Sequence, residues 1–210
     1  MAALEVKKRV TNAVLYTNNL IRIDNVRVSF PHLAEPYAGP GDDGRDSKPK
    51  FGIVGMLNKE THEAAKNLIV SVIKEMMDAN DTKVAKDKWF IRDGDDTGRT
   101  EYEGHWIVSA RESRQPSVRD QRGDLILDKS KIEDMIYGGC YANILIRPWY
   151  QDGQKVGKGY GKRINAGIVG VQFVRDGEPF GEGRIDDTDA WEDVSDQAGS
   201  DDAWDDDDDL

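Results

Sequence analysis

The C-terminal stretch Asp186 to Leu210 limits what can fold. It holds thirteen acidic residues and no Lys or Arg, whereas residues 1–185 carry a net charge of +2. So charged a segment, so poor in aliphatic side chains, cannot bury enough apolar surface to offset its ordering entropy, and it is expected to be disordered. Folding is confined to a near-neutral body, and the net charge of −11 comes from the tail. The run Asp205, Asp206, Asp207, Asp208 and Asp209 imitates the flexible, closely spaced negative charge of a nucleic-acid backbone. Such a tail fits beside a cationic groove that it can fill or vacate. A solubility tail is the simpler alternative. Trp191 and Trp204 stand among the acids, and solvation alone has no use for indoles.

The body suits one domain with insertions. Cys140 is the single cysteine, which excludes an intrachain disulfide and suits a reducing compartment. No leader-like run and no long apolar run occurs, so the expectation is a cytoplasmic protein with no membrane partner. Glycine is abundant, at 21 against 7 prolines, as in a turn-rich β protein.

Residues 1–19 read as a flexible arm or edge strand, with a basic cluster at Lys7, Lys8 and Arg9. Leu20 to Phe30 alternates apolar and polar and slips near Asn25-Val26, the mark of a half-buried strand with a bulge. Pro31 is expected to stop it, and residues 31–49 read as a loop. Lys50 to Leu57 is a second strand. Apolar residues at helical spacing from Ala64 to Met77 predict one long helix over about 59–79, with Asn58 as cap. His105–Ala110, Cys140–Tyr150 and Ile164–Arg175 are further strands, and Lys129–Tyr137 a short helix. The sum is a mainly β fold: an OB-fold-like five-stranded Greek-key barrel with one long helix and inserted loops, over residues 20–185.

Motifs for catalysis fail. His32, His62 and His105 are scattered without metal-ligand spacing, and His32 and His62 are expected to face solvent. Gly161-Lys162 has Val156 five residues before and Arg163 after, which breaks the phosphate-loop pattern. Asp93 to Gly98 imitates the start of a calcium loop, but its twelfth position is Gly104, where a bidentate Glu belongs. No catalytic residue, metal or cofactor is expected. A metal-dependent nuclease or recombination enzyme using the carboxylates at 93–96 is the enzymatic alternative, and a DNA mimic that sequesters a basic partner is another.

What survives is basic residues mixed with aromatics. Unstacked bases need planar side chains, and phosphates need Lys or Arg. The segment around the glycine-rich tip 151–162 supplies Arg147, Trp149, Tyr150, Lys158, Tyr160, Lys162 and Arg163. Alternation puts Arg147 and Trp149 on one face of their strand, with Ile144 and Ile146 on the other. Trp89 with Arg92, Arg111 with Arg114, and Lys48 with Lys50 form further clusters.

Taken in order, RVSFPHLAEP (27–36), IRDGD (91–95), SARESRQPSVRD (109–120) and IYGGCYANILIRPWY (136–150) resemble a family of bacteriophage single-stranded DNA-binding proteins. The resemblance covers most of residues 20–180. It implies an OB barrel that coats single strands in phage replication and recombination, within the host cytoplasm. Double-stranded DNA would be the weaker ligand. It also implies an acidic tail, here Trp204, Asp205 to Asp209 and Leu210, that competes with DNA and recruits replication or recombination proteins. Such tails often end in an aromatic; this one ends in Leu210, with Trp204 set back. Oligomeric state stays open, a homodimer included.

Overall fold

The longest strand organises the molecule. In a computed structural model, which describes residues 4–39, 48–153 and 161–181, this is β3 (Ile21–Tyr37). Ile21, Ile23, Val26 and Val28 are fully buried. The inward phase moves by one residue between Ile23 and Val26, where the strand's register against its neighbour shifts. Asn25 takes φ 53 there, a conformation that Asn tolerates. The expected bulge is present. Pro31 does not end the strand, contrary to expectation. The chain bends at Phe30 and continues to Tyr37, which pairs with Lys50. Leu33 and Ala34, beyond the proline, are buried. Their burial sustains the strand, and proline's missing N–H falls at a register break where it costs little.

The remaining strands are β1 (Val6–Val10), β2 (Ala13–Tyr16), β4 (Lys50–Asn58), β5 (Ile91–Asp93), β6 (His105–Glu112), β7 (Ser117–Arg119), β8 (Leu125–Ile126), β9 (Tyr141–Gln151) and β10 (Arg163–Arg175). They form one sheet in the order β5-β6-β4-β3-β9-β10-β7-β8, with the β1–β2 hairpin added to β3. The order closes on itself. β7 follows β6 after residues 113–116 and pairs in parallel with β10, Gly170 against Ser117 and Val171 against Val118. A parallel bridge from Trp89 to Ile164 ties the chain just before β5 to β10 as well. The sheet is therefore a barrel, mainly β and OB-like. The five strands that alternation predicts are β3, β4, β6, β9 and β10. The others are short marginal additions.

The arm expected over 1–19 is partly a hairpin. Asn12, at φ 59, turns β1 into β2, and Ala13, Val14 and Leu15 are buried. Three apolar side chains in the core outweigh the polar composition of the rest.

The long helix is α1 (Glu63–Ala79), which buries Ala65, Leu68, Ile69, Val72 and Ile73. Burying five such side chains contributes on the order of 10 kcal/mol before entropy is charged. It starts later than expected. The Asn58 carboxamide accepts the N–H groups of Glu60 and Thr61, so it caps a turn ahead of the helix, and His62 takes the N-cap position. His62 is buried rather than solvent-facing. Its Nε2 donates to the Asp24 carbonyl at 2.9 Å, and Nδ1 accepts from the Thr61 hydroxyl at 2.8 Å. The short helix is α2 (Lys129–Met135), capped by the Asp128 carboxylate. No helix of the described residues is long and apolar enough to cross a membrane. Met1–Phe180 forms one compact unit; the acidic tail lies outside the described residues.

Candidate nucleic-acid interface

Strand pairing decides which polar side chains meet on the outside of the barrel. On β9, Ile144, Ile146 and Pro148 point inward and are buried, while Arg147 and Trp149 point outward and are exposed. Trp149 is 43% exposed. Arg147 pairs with Gly167 of β10, and Trp149 with Asn165. His32 of β3 pairs with Gly52 of β4, which pairs with Arg111 of β6. Tyr37 and Lys50 form the next row, and the His32 and Tyr37 rings stack with centroids 4.6 Å apart.

The seam of the barrel joins these two groups. A Cβ on Gly167 would lie 2.9 Å from Glu112 Oε2 and 4.0 Å from the Arg111 carbonyl. The backbone path therefore runs from Arg147 and Gly167 to β6 at Arg111–Glu112, and from Arg111 on to Gly52 and His32. Glycine stands at two positions on this path, Gly167 and Gly52. At Gly52 a Cβ would come 3.3 Å from Arg111 Cγ, so the missing side chain gives the arginine stem its place. Along these paired strands Arg111, Arg147, Lys50, Trp149 and Tyr37 are exposed and His32 is half-buried.

The electrostatics suit an anion. Lys48, Lys50, Arg111, Arg114 and Arg147 are exposed, and none forms an ion pair with a described residue. Glu112 is the acidic member, and its Oε1 accepts the Ser113 N–H and hydroxyl. Burial first, and the Arg111 charge second, push His32 below the usual histidine range, so the ring is neutral at neutral pH and adds a plane, not a charge.

Some expected site residues sit elsewhere. Trp89 is half-buried against the main core, and its indole N–H donates to the Val84 carbonyl at 3.0 Å. It is a packing residue in this structure, not an open stacking platform. Tyr150 pairs with the buried Ile164 and packs against the same core. Arg92 is exposed on β5 opposite Ile107, four residues along β6 from Arg111 and off this path. Lys162 is exposed and donates to the Thr82 hydroxyl at 2.7 Å. Arg163 begins β10 opposite Gln151, half-buried. Lys158 and Tyr160, with the tail residues Trp204, Asp205 to Asp209 and Leu210, lie outside the described residues. Sequence reasoning missed His32 and Tyr37. The apolar pair Leu33-Ala34 after Pro31 was the signal that the strand resumes and carries them to the same face.

A barrel of five main strands closed in this order is an OB-type architecture. The chain belongs to the family described as the ssDNA-binding protein of Enterobacter phage Enc34, whose sequence model matches residues 19–204. The structure of the single-stranded DNA-binding protein from bacteriophage Enc34 in complex with ssDNA is 40% identical, with a TM-score of 0.76, covering 85% of this chain and 98% of that one. A second structure of the single-stranded DNA-binding protein from bacteriophage Enc34 is 39% identical, with a TM-score of 0.75, covering 91% of this chain and all of the other. Protein p50 of Acyrthosiphon pisum secondary endosymbiont phage 1 is 27% identical over 182 residues, 83% of this chain and 94% of that protein.

Proposed function

We propose that this chain binds single-stranded DNA without strong sequence preference and coats it during phage replication or recombination. The observation that carries the proposal is the set of exposed arginines, Arg111 and Arg147, that form no ion pair with a described residue and stand on the same set of paired barrel strands as the exposed rings of Trp149 and Tyr37. Bases stack on Trp149 and the His32–Tyr37 pair, and phosphates meet Arg111, Arg147 and Lys50, with Lys48, Arg114, Lys162 and Arg163 at the margins. Membership in the Enc34 family and the ssDNA-bound relative support this reading.

The protein acts by binding, not by catalysis, in the host cytoplasm. Asp93 and Asp95 both pair with the Lys59 ammonium, at 2.5 and 2.7 Å, and Asp95 also accepts the Gly104 N–H. Lys59 holds the Asp95 carboxyl below the usual range. Carboxylates so occupied suit a structural clip better than a nuclease metal. The Cys140 thiol is buried and pushed up to about 11, which suits core packing and not a nucleophile. The acidic tail competes with DNA for the site and recruits replication or recombination proteins.

Titration of the full chain with single- and double-stranded oligonucleotides, at low and high salt, tests the proposal. Tight, salt-sensitive binding that favours single strands is expected. Binding to neither form would overturn it.

A further inference from the structure

We propose that Phe30 and Arg99 form a nucleobase subsite that extends the single-strand path beyond the seam and favours single over double strands. This inference rests on the ssDNA-binding reading above. Among the described residues, five non-glycine positions have positive φ: Asn12, Asn19, Asn25, Asp81 and Phe30. Four are Asn or Asp, which tolerate that region; a bulky aromatic there is an outlier. Phe30, at φ 45, also precedes Pro31, which restricts its backbone further.

Core packing does not account for this strain, because the ring is 50% exposed. The bend instead lifts an aromatic plane out of the sheet, two residues before His32. Strained side chains held in the open are a feature of ligand clamps. The Arg99 guanidinium lies 5.1 Å from the Phe30 centroid and 5.7 Å from that of Tyr102. Tyr102 is buried, with its hydroxyl 3.3 Å from Ser29 Oγ, so one wall of this cluster is fixed. Arg99's ion pair with Glu101 is exposed, at 3.4 Å, and such pairs are weak. The cation is free to exchange it for a phosphate. An exposed ring beside a loosely held cation suits one unstacked nucleotide, base on Phe30 and phosphate on Arg99. A duplex keeps its bases stacked and cannot offer one.

The test uses the full chain with a thymidine oligonucleotide and a duplex of the same length. Phe30→Ala should weaken single-strand binding by about fivefold or more and leave duplex binding unchanged, so the discrimination ratio falls. Phe30→Trp should keep wild-type binding. Phe30→Asn, suited to the left-handed backbone, should match or exceed the wild-type Tm yet lose affinity as Phe30→Ala does, and it carries the test if the alanine variant unfolds. Folded Phe30→Ala or Phe30→Asn protein that binds the oligonucleotide within about twofold of a tightly binding wild type would overturn the subsite alone. A wild type that binds no single strand would overturn the ssDNA-binding reading and the subsite with it.

Discussion

Gly167 of β10 lies beneath the Glu112 carboxylate of β6, so close that a Cβ would stand 2.9 Å from Oε2. This contact spans the barrel seam and links the strand pair that carries Arg147 to the strand that carries Arg111. Its neighbour in that contact is the movable end of a side chain, and Gly167 itself has no positive φ to defend. Gly167→Ala should therefore keep the fold, with Tm lowered by less than about 3 °C, as Glu112 swings aside. Gly139 is the contrast. Its φ is 113, and a Cβ would meet the Glu178 carbonyl oxygen at 2.1 Å and Pro179 Cα at 2.8 Å. Gly139→Ala should cost at least about 2 kcal/mol. Thermal denaturation of both variants checks this; equal losses would mean that the two sites are not distinguished by what surrounds them.

Trp149 is exposed, so its removal leaves no large cavity. Trp149→Ala should stay folded and weaken single-strand binding by about 1–3 kcal/mol. The measurement is affinity beside Tm. A large fall in Tm with unchanged affinity would return Trp149 to a packing role.

The barrel strands were legible because their faces differ: alternation over Asn143–Tyr150 separates Arg147 and Trp149 from Ile144 and Ile146 without any structure. The bulge at Asn25 was legible for the same reason, as a phase slip. Closure was not. That the strand of Arg111 meets the strand pair of Arg147 depends on the stagger between β6 and β10, residues far apart in the chain, and no local pattern encodes it. Pro31 misled because its effect depends on whether the missing N–H falls on a ladder bond or at a register break. His62 and Trp89 misled because a polar or amphipathic ring is equally at home outside or in a core that satisfies it, and only the partners Asp24, Thr61 and Val84 decide.

Burial holds His62 below the usual histidine value of 6.5. The unfolded chain then binds more protons between the two pKa values, so stability rises with pH across that window. This contribution is intact above about 6.5 and lost as pH falls through the folded value. His32 is held low as well and titrates with the same sign. The urea midpoint should be flat from about pH 8 to 7 and fall below about 6.5. The double variant His32→Gln, His62→Gln should show a shallower fall. An unchanged slope would place the pH dependence in other groups.

The tail carries thirteen negative charges within 25 residues, and its covalent linkage makes competition with DNA intramolecular, at an effective concentration on the order of millimolar. Deleting residues 186–210 should tighten single-strand binding several-fold at low salt, with the gap closing as salt rises. Duplex binding should gain more in proportion, since a weaker ligand is more easily excluded. Asp205–Asp209 changed to Asn should reproduce much of the effect. A truncated protein that binds no better at low salt would make the tail a solubility or docking appendage.

Arg111 and Arg147 are proposed to act together on one strand across the seam. The most direct measurement is the salt dependence of oligothymidylate binding for the wild type and for the double variant Arg111→Ala, Arg147→Ala, with Tm measured alongside. With four to six phosphates neutralised, the wild-type log–log slope should be roughly −3 to −4, and the double variant should lose about 1.4 from its magnitude at unchanged Tm. A folded double variant that keeps both the wild-type slope and the wild-type affinity would show that the two arginines do not hold the strand.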